Sequence, residues 1–306
     1  MERERGRPRV PAGLSFVLNV CKEPGPTSHD VVARVRRMTG ERRVGHAGTL
    51  DPAAAGVLVV LVGPATRLME YYVGHSKVYV AEIVFGVATD THDADGTIVA
   101  LSDRVPDETA VREALAAFRG EQWQHPPQFA AIKQGGQRLY RRARAGEDTD
   151  IPPRRVRIDR LELLRWSPPA AHVLLHCSPG TYVRSLARDL GAQLDCGAYA
   201  HRLVRVASGP FTLAEARTLD AWEAAFADGS WRELVHAPDA ALLAWPALLL
   251  DAAAERALGH GMPLAGRPPR ASEPDLARAY DGAGRLAGVL HWEESRGRWQ
   301  PTKVLR

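Results

Sequence analysis

Between Gly45 and Gly56 the chain reads Gly-His-Ala-Gly-Thr-Leu-Asp-Pro-Ala-Ala-Ala-Gly, and the apolar run Val57 to Val62 follows. One imidazole, His46, and one carboxylate, Asp51, are set among glycines, which let another backbone or a ligand come close. Pro52 steers Asp51 out of helix and into extended backbone. A carboxylate presented in this way can act as a nucleophile or general base if it is ionised when substrate arrives. The same residues also fit a plainer use, in which Asp51 caps a short helical turn with Pro52 at its first position. At the level of this loop both readings stand.

A second segment, Cys177 to Gly191, reads as a strand, a turn and a helix, with Arg184 near the helix start. Facing Asp51, its guanidinium would keep the carboxylate ionised and orient it through two parallel hydrogen bonds; otherwise it is a surface arginine. Tyr79 lies on a strand-like stretch, where an aromatic side chain either packs in a core or offers a flat face to an unstacked base. The alternating aspartates of Thr89 to Gly96 suggest a calcium loop, but the spacing fails. An EF-hand in this register would begin at Thr91 and need glutamate at position 102, which is Ser102. Asp90 is then a turn former or an outer site residue.

These residues need elements to position them. Leu14 to Val20 reads as a strand, Pro24-Gly25-Pro26 as a turn, and Thr27 or Ser28 as the cap of a helix carrying Val31, Val32, Val35 and Met38. Val78 to Phe85 has strand character, and Thr109 to Phe118 is a short amphipathic helix. Residues 121–155 hold paired prolines, paired glycines and Arg141-Arg142, the composition of an exposed basic insertion, and a loop this long is usually functional. Strands are expected at Arg157 to Arg165 and Ala171 to Cys177, with helices at Tyr182 to Leu194 and Trp222 to Trp231. Past a linker at Pro238 to Pro246, Asp251 to Leu258 looks helical and the rest alternates short strands with turns. Residues 1–11 lack apolar periodicity and read as a disordered basic arm. The pattern is α+β in two domains, 12–245 and 246–306.

The bulk numbers narrow the function. A chain of 306 residues with a net charge of +4 favours a polyanionic partner without identifying it. Lysine occurs only at Lys22, Lys77, Lys133 and Lys303, so the positive charge is nearly all arginine, whose planar fork suits phosphates and bases. No apolar run of membrane-spanning length and no secretory segment is visible, so a cytoplasmic protein without membrane association is expected. Cys21, Cys177 and Cys196 have neither disulfide nor zinc spacing. With no Walker loop, dinucleotide fingerprint or metal-ligand cluster, neither metal nor small-molecule cofactor is expected.

Together the motifs resemble those of the bacterial tRNA pseudouridine synthase B (TruB) family. The family's Gly-His-Thr-Gly-(Ala/Thr)-Leu-Asp-Pro-x-Ala-x-Gly matches residues 45–56, with Ala47 in place of threonine. Its Lys-x-Tyr-x-(Ala/Val) matches 77–81, and its Cys-Ser-x-Gly-Thr-Tyr-(Ile/Val)-Arg-(Ser/Thr) matches 177–185. Its RNA-clamping segment matches through Lys133 and beyond, with Ala130 for serine, while the N-terminal Lys-Pro-x-Gly departs as Lys22-Glu23-Pro24-Gly25. Residues 281–289 resemble a hairpin of the small RNA-binding PUA-type domain found in these enzymes.

The resemblance implies an α+β pseudouridine synthase domain with a mixed, mainly antiparallel sheet, followed by a PUA-like domain. It implies isomerisation of a uridine in the tRNA T loop, at position 55 in tRNA numbering, after the nucleotide is flipped out. Asp51 would be the essential nucleophile or base, Arg184 its ion-pair partner, and Tyr79 the stacking and proton-transfer group. His46 would fill the space left by the flipped nucleotide, Tyr182 and Leu203 would line the pocket, and Asp90 would lie near the cleft. Residues 121–155, with Lys133, would grip RNA. The expected partner is the tRNA T arm, bound by a monomer. Two other classes fit the same motifs, an RNA-folding chaperone and a synthase subunit that depends on a guide RNA.

Overall fold

In the computed structural model the described residues are 11, 13–127, 133–134, 137–138, 151–270 and 272–305. Nearly all of the arm at 1–11, most of the insertion at 121–155 and the side chain of Lys133 lie outside them. The strands along the chain are β1 (Phe16–Lys22), β2 (Val44–His46), β3 (Ala55–Val62), β4 (Lys77–Phe85), β5 (Val87–Thr89), β6 (Ile98–Leu101), β7 (Gly120–Gln124), β8 (Lys133–Gln134) and β9 (Gln137–Arg138). They continue as β10 (Arg154–Ser167), β11 (Ala170–Cys177), β12 (Ala198–Ser208), β13 (Phe211–Thr212), β14 (Ala247–Leu249), β15 (Leu276–Tyr280), β16 (Leu286–Glu293) and β17 (Arg298–Val304).

Nine strands form one sheet in the order β1-β3-β12-β4-β11-β10-β7, with β2 added to β3 and β13 to β12. All its pairings are antiparallel except β3 with β12. Side-chain periodicity explains the placing of each strand. β1 and β3 are almost continuously apolar and buried on both faces. On them Leu18, Leu58 and Val60 enter one core, and Val17, Val57 and Val59 enter a second on the other side. β4 alternates instead, so that Lys77, Tyr79, Ala81, Ile83 and Phe85 point inward. At Gly56 (φ 106°) an added Cβ would stand 2.2 Å from the Arg205 carbonyl oxygen, so the close approach of β3 to β12 requires glycine.

The helix Ser28–Thr39 starts at Thr27, whose hydroxyl accepts from the Asp30 amide while the Asp30 carboxylate accepts from the Thr27 amide, a reciprocal cap. Its buried Val31, Val32, Val35 and Met38 join the first core, as do Val111, Ala114 and Leu115 of the helix Glu108–Ala117. The expected helix at Trp222 to Trp231 is two pieces, Leu219–Asp228 and Trp231–Leu234, because Gly229 takes a left-handed conformation (φ 87°) and ends the first.

The C-terminal region is a four-stranded sheet, β14-β15-β16-β17, with its own core around Trp292 and Trp299. Arg278 of β15 donates from Nη1 to Asp239 Oδ2 at 3.0 Å, and the Tyr280 hydroxyl donates to the same carboxylate, fastening this sheet to the linker. Among the described residues no helix is long and apolar enough to cross a membrane.

Candidate active site

The residues from Ala47 to Ala54 cross from β2 to β3 as irregular backbone, and buried polar side chains hold them there. Ser28 pins Leu50 twice: its hydroxyl donates to the Leu50 carbonyl at 3.0 Å and accepts from the Leu50 amide at 2.9 Å. Lys22 is fully buried and spends three donors on carbonyls, those of Glu23 (3.0 Å), Pro52 (2.9 Å) and Ala54 (2.7 Å). Burial lowers its pKa to about 8, against the pull of Asp51. The departure at Glu23-Pro24 therefore leaves Lys22 anchored to the loop. Arg205 of β12, 1% exposed, supports the loop from below: Nε donates to Val57 O at 2.7 Å, Nη2 to Gly48 O at 3.0 Å and Nη1 to Thr49 O at 3.5 Å. Asp51 is thereby held between two strands without entering a helix.

Arg184 comes from the opposite direction. The turn after β11 leads into the helix Val183–Gln193, whose start is fixed when the Gln124 side chain both donates to the Tyr182 carbonyl (3.1 Å) and accepts from its amide (2.8 Å). Arg184 Nη2 donates to Asp51 Oδ1 at 3.1 Å, and Nε stands 3.0 Å from Oδ2. The two residues are 133 positions apart. Nη1 donates to Asp93 Oδ2 at 3.1 Å, so one guanidinium bridges two carboxylates. The Arg184 side chain is 7% exposed and that of Asp51 is 40% exposed, which puts the cation in the wall and the acid at the opening. Burial pushes the Asp51 carboxyl above its ordinary pKa; Arg184 pulls it back and Asp93 adds to the rise.

Asp51, Tyr79, Tyr182, Arg184 and Leu203, five of the expected residues, line one cavity of about 240 Å³ together with Lys77 and Arg205. Tyr79 is 9% exposed, and burial pushes its phenol up while the Arg205 charge pulls it down. Tyr182 carries the Arg154 guanidinium 5.0 Å above its ring. Lys77 donates to the carbonyls of Val73 and His75, both at 2.6 Å, and burial lowers its pKa to about 8.

His46 lies outside this lining, on β2, with its ring edge-on to His29 at 5.7 Å. Burial first, then the charges of His29 and Arg205, lowers its pKa to about 4, so it is neutral at physiological pH. Asp90 is exposed and accepts from the Thr97 amide at 2.8 Å, forming the turn. The aspartate of that turn which reaches Arg184 is Asp93, three positions on. Nothing in the alternating acidic run distinguishes the two; the isolated bridge between Asp93 and Ala200 brings the second one inward. Arg205 and Lys77 were likewise invisible as cavity residues, since arginine and lysine on strands normally face water.

Residues 36–183 match the TruB family pseudouridylate synthase N-terminal domain. The chain is similar to tRNA pseudouridine synthase B of Symbiobacterium thermophilum, with 51% identity over 71% of this chain and 74% of that protein. It is similar to the same-named proteins of Dehalococcoides mccartyi, 39% identical over 95% of this chain and 96% of the other, and Pseudomonas aeruginosa, 37% identical over 97% and 98%. Among solved structures it is similar to a chain of a Cbf5-Nop10-Gar1 complex, with a TM-score of 0.71, 25% identity, and coverage of 95% of this chain and 85% of that one. The mixed sheet is thus the pseudouridine synthase fold, and the chain belongs to the TruB family.

Proposed function

We propose that this protein converts uridine to pseudouridine in the T loop of tRNA, at position 55. Membership of the TruB family supports the reaction and the substrate. The observation that carries the assignment of the site is the Asp51–Arg184 pair in the wall of an open cavity, built from two segments 133 residues apart. A carboxylate fixed by an arginine and turned toward a hollow beside a tyrosine is equipped to act on an everted nucleoside.

In this reading the target uridine leaves the folded T loop and enters the cavity, with Tyr79 against the base and Tyr182 and Leu203 around it. Asp51 serves as nucleophile or base while the N1–C1′ bond breaks, the uracil turns, and C5 joins C1′. Attack at C1′, attack at C6 and elimination at C2′ all require Asp51 to be ionised. Arg184, itself held by Asp93, favours that state against the cost of burial. Neutral His46, close to the loop, is a filler for the space vacated in the RNA, and Asp90 shapes the turn beside the cleft. Residues 12–245 form the catalytic domain, residues 121–155 with Lys133 grip the RNA, and 246–306 form a PUA-like RNA-binding domain. The working unit is a cytoplasmic monomer that uses no metal or cofactor.

The test is release of tritium from tRNA carrying [5-³H]uridine, because forming the C5 glycosidic bond expels that hydrogen. Purified protein alone should release it from unmodified tRNA. Tight tRNA binding without release would favour an RNA chaperone or a subunit requiring a guide RNA.

A further inference from the structure

Arg205 is among the largest fully buried side chains, and it lies at the centre of the sheet. On β12 it pairs directly with Tyr79 on β4, and on its other side with Gly56 of β3. No ion pair joins it to a carboxylate among the described residues. Its hydrogen bonds go to three main-chain carbonyls, those of Gly48, Thr49 and Val57. A guanidinium brought this deep into a sheet without a counter-ion is costly, and three carbonyl dipoles offset only part of the cost. Such a cation is suited to stabilise negative charge that forms nearby during a reaction.

The candidate for that charge is the Tyr79 oxygen. Tyr79 and Arg205 line the same cavity from directly paired positions on β4 and β12, and the guanidinium charge favours the phenolate. The charged and titratable groups facing Tyr79 are Arg205 from β12, Cys177 from β11 and Asp51 from the loop. Lys77 stands two positions away on the same strand and lines the cavity too. Burial first, then Cys177 and Asp51, oppose the phenolate, and Arg205 is the charged neighbour that favours it.

We propose that Arg205 is a positioning residue with two tasks, bracing the loop that carries Asp51 and stabilising the Tyr79 phenolate as it removes the C5 proton after the uracil has rejoined through C5. The proposal rests on the synthase reading given above. Before this step C5 is tetrahedral, bonded to hydrogen and C1′, and N1 is doubly bonded to C6. Tyr79, having released its own proton to water, takes the proton from C5. The C–H electron pair becomes the C5=C6 bond, the N1=C6 π pair withdraws to N1, and N1 takes a proton from water. No oxidant or reductant is needed.

The test compares wild type, Arg205→Lys, Arg205→Gln and Asp51→Asn in single-turnover reactions, with tRNA carrying hydrogen, deuterium or tritium at uridine C5. Arg205→Lys keeps the charge and serves as the variant expected to fold; thermal melting and tRNA affinity establish that each variant is intact. Arg205→Gln should release tritium about 100-fold more slowly, the loss typical of removing one preorganised donor. It should also show a deuterium isotope effect that wild type lacks, and an activity limb displaced to higher pH. Arg205→Lys should lie between the two. If the Arg205 variants fold and bind but are slow with unchanged pH profile and no isotope effect, Arg205 only braces the loop and the proposal fails. Full activity in Arg205→Gln also overturns it. If wild type itself releases no tritium, the synthase reading fails instead.

Discussion

At the scale of single residues, the site depends on a balance of charge at Asp51. Burial raises its pKa, so the stability linked to this group is present below the ordinary carboxylate range and is lost as pH rises through the raised value. Above that raised value the ionised acid therefore costs stability, which is consistent with a group kept for reactivity. Asp51→Asn should bind tRNA, release no tritium and melt no lower than wild type at pH 7, because Arg184 retains Asp93. A lower melting temperature would show that the pair is a structural prop. His46 has the opposite linkage. Its pKa is depressed to about 4, so its contribution is complete above the ordinary value of 6.5 and is lost as pH falls through 4. Urea unfolding of His46→Gln between those pH values should show a pH slope smaller by one proton; His92, also lowered to about 4, accounts for a second proton that remains.

At the scale of elements, the site is a loop stretched between β2 and β3 and tied to its neighbours by side chains from three other segments. Lys22 on β1, Ser28 at a helix start and Arg205 on β12 supply donors to carbonyls that strand pairing leaves free. Ser28→Ala would leave the buried Leu50 amide and carbonyl unpaired, at a cost of about 2 kcal/mol. Asp51 would then lose its aim, and kcat should fall roughly 10- to 100-fold while tRNA affinity holds, since small misplacements act on the chemical step. Single-turnover and binding assays on the one variant separate these effects; unchanged kcat would mean that Lys22 and Arg205 hold the loop by themselves. β12 contributes Leu203 and Arg205 to the cavity, yet its sequence shows no clean alternation. Its pairing with β4 shifts register between Ala200 and Arg202 and again between Arg205 and Ala207, which breaks the two-residue period.

At the scale of the whole molecule, the C-terminal sheet is not a loosely tethered appendage. Val289 packs into the second core with Tyr72 and Phe211, and the Asp239–Arg278 pair, with side chains 10% and 12% exposed, closes the junction beside Tyr280. Removing one partner leaves a buried charge, so Asp239→Asn should cost about 3 kcal/mol. If this sheet helps to hold RNA, KM for tRNA should rise more than kcat falls. Chemical denaturation and steady-state kinetics check the two parts, and a variant with wild-type stability would show that apolar packing alone joins the regions. The sequence by itself determined the α+β class, the apolar run of β3, the strand pattern of β4, the cap at Thr27 and the motifs holding Asp51, Tyr79, Tyr182 and Arg184. The class, the strands and the caps are local signals, carried by side-chain period and by glycine and proline chemistry, whereas the motifs were legible through their resemblance to those of the TruB family. Only the tertiary structure decided that Asp93 rather than Asp90 reaches Arg184, that His46 stands beside the cavity lining, and that Arg205 and Lys22 lie beneath the loop. Such choices depend on strand register and on which buried carbonyls lack partners, and both emerge when segments distant along the chain meet.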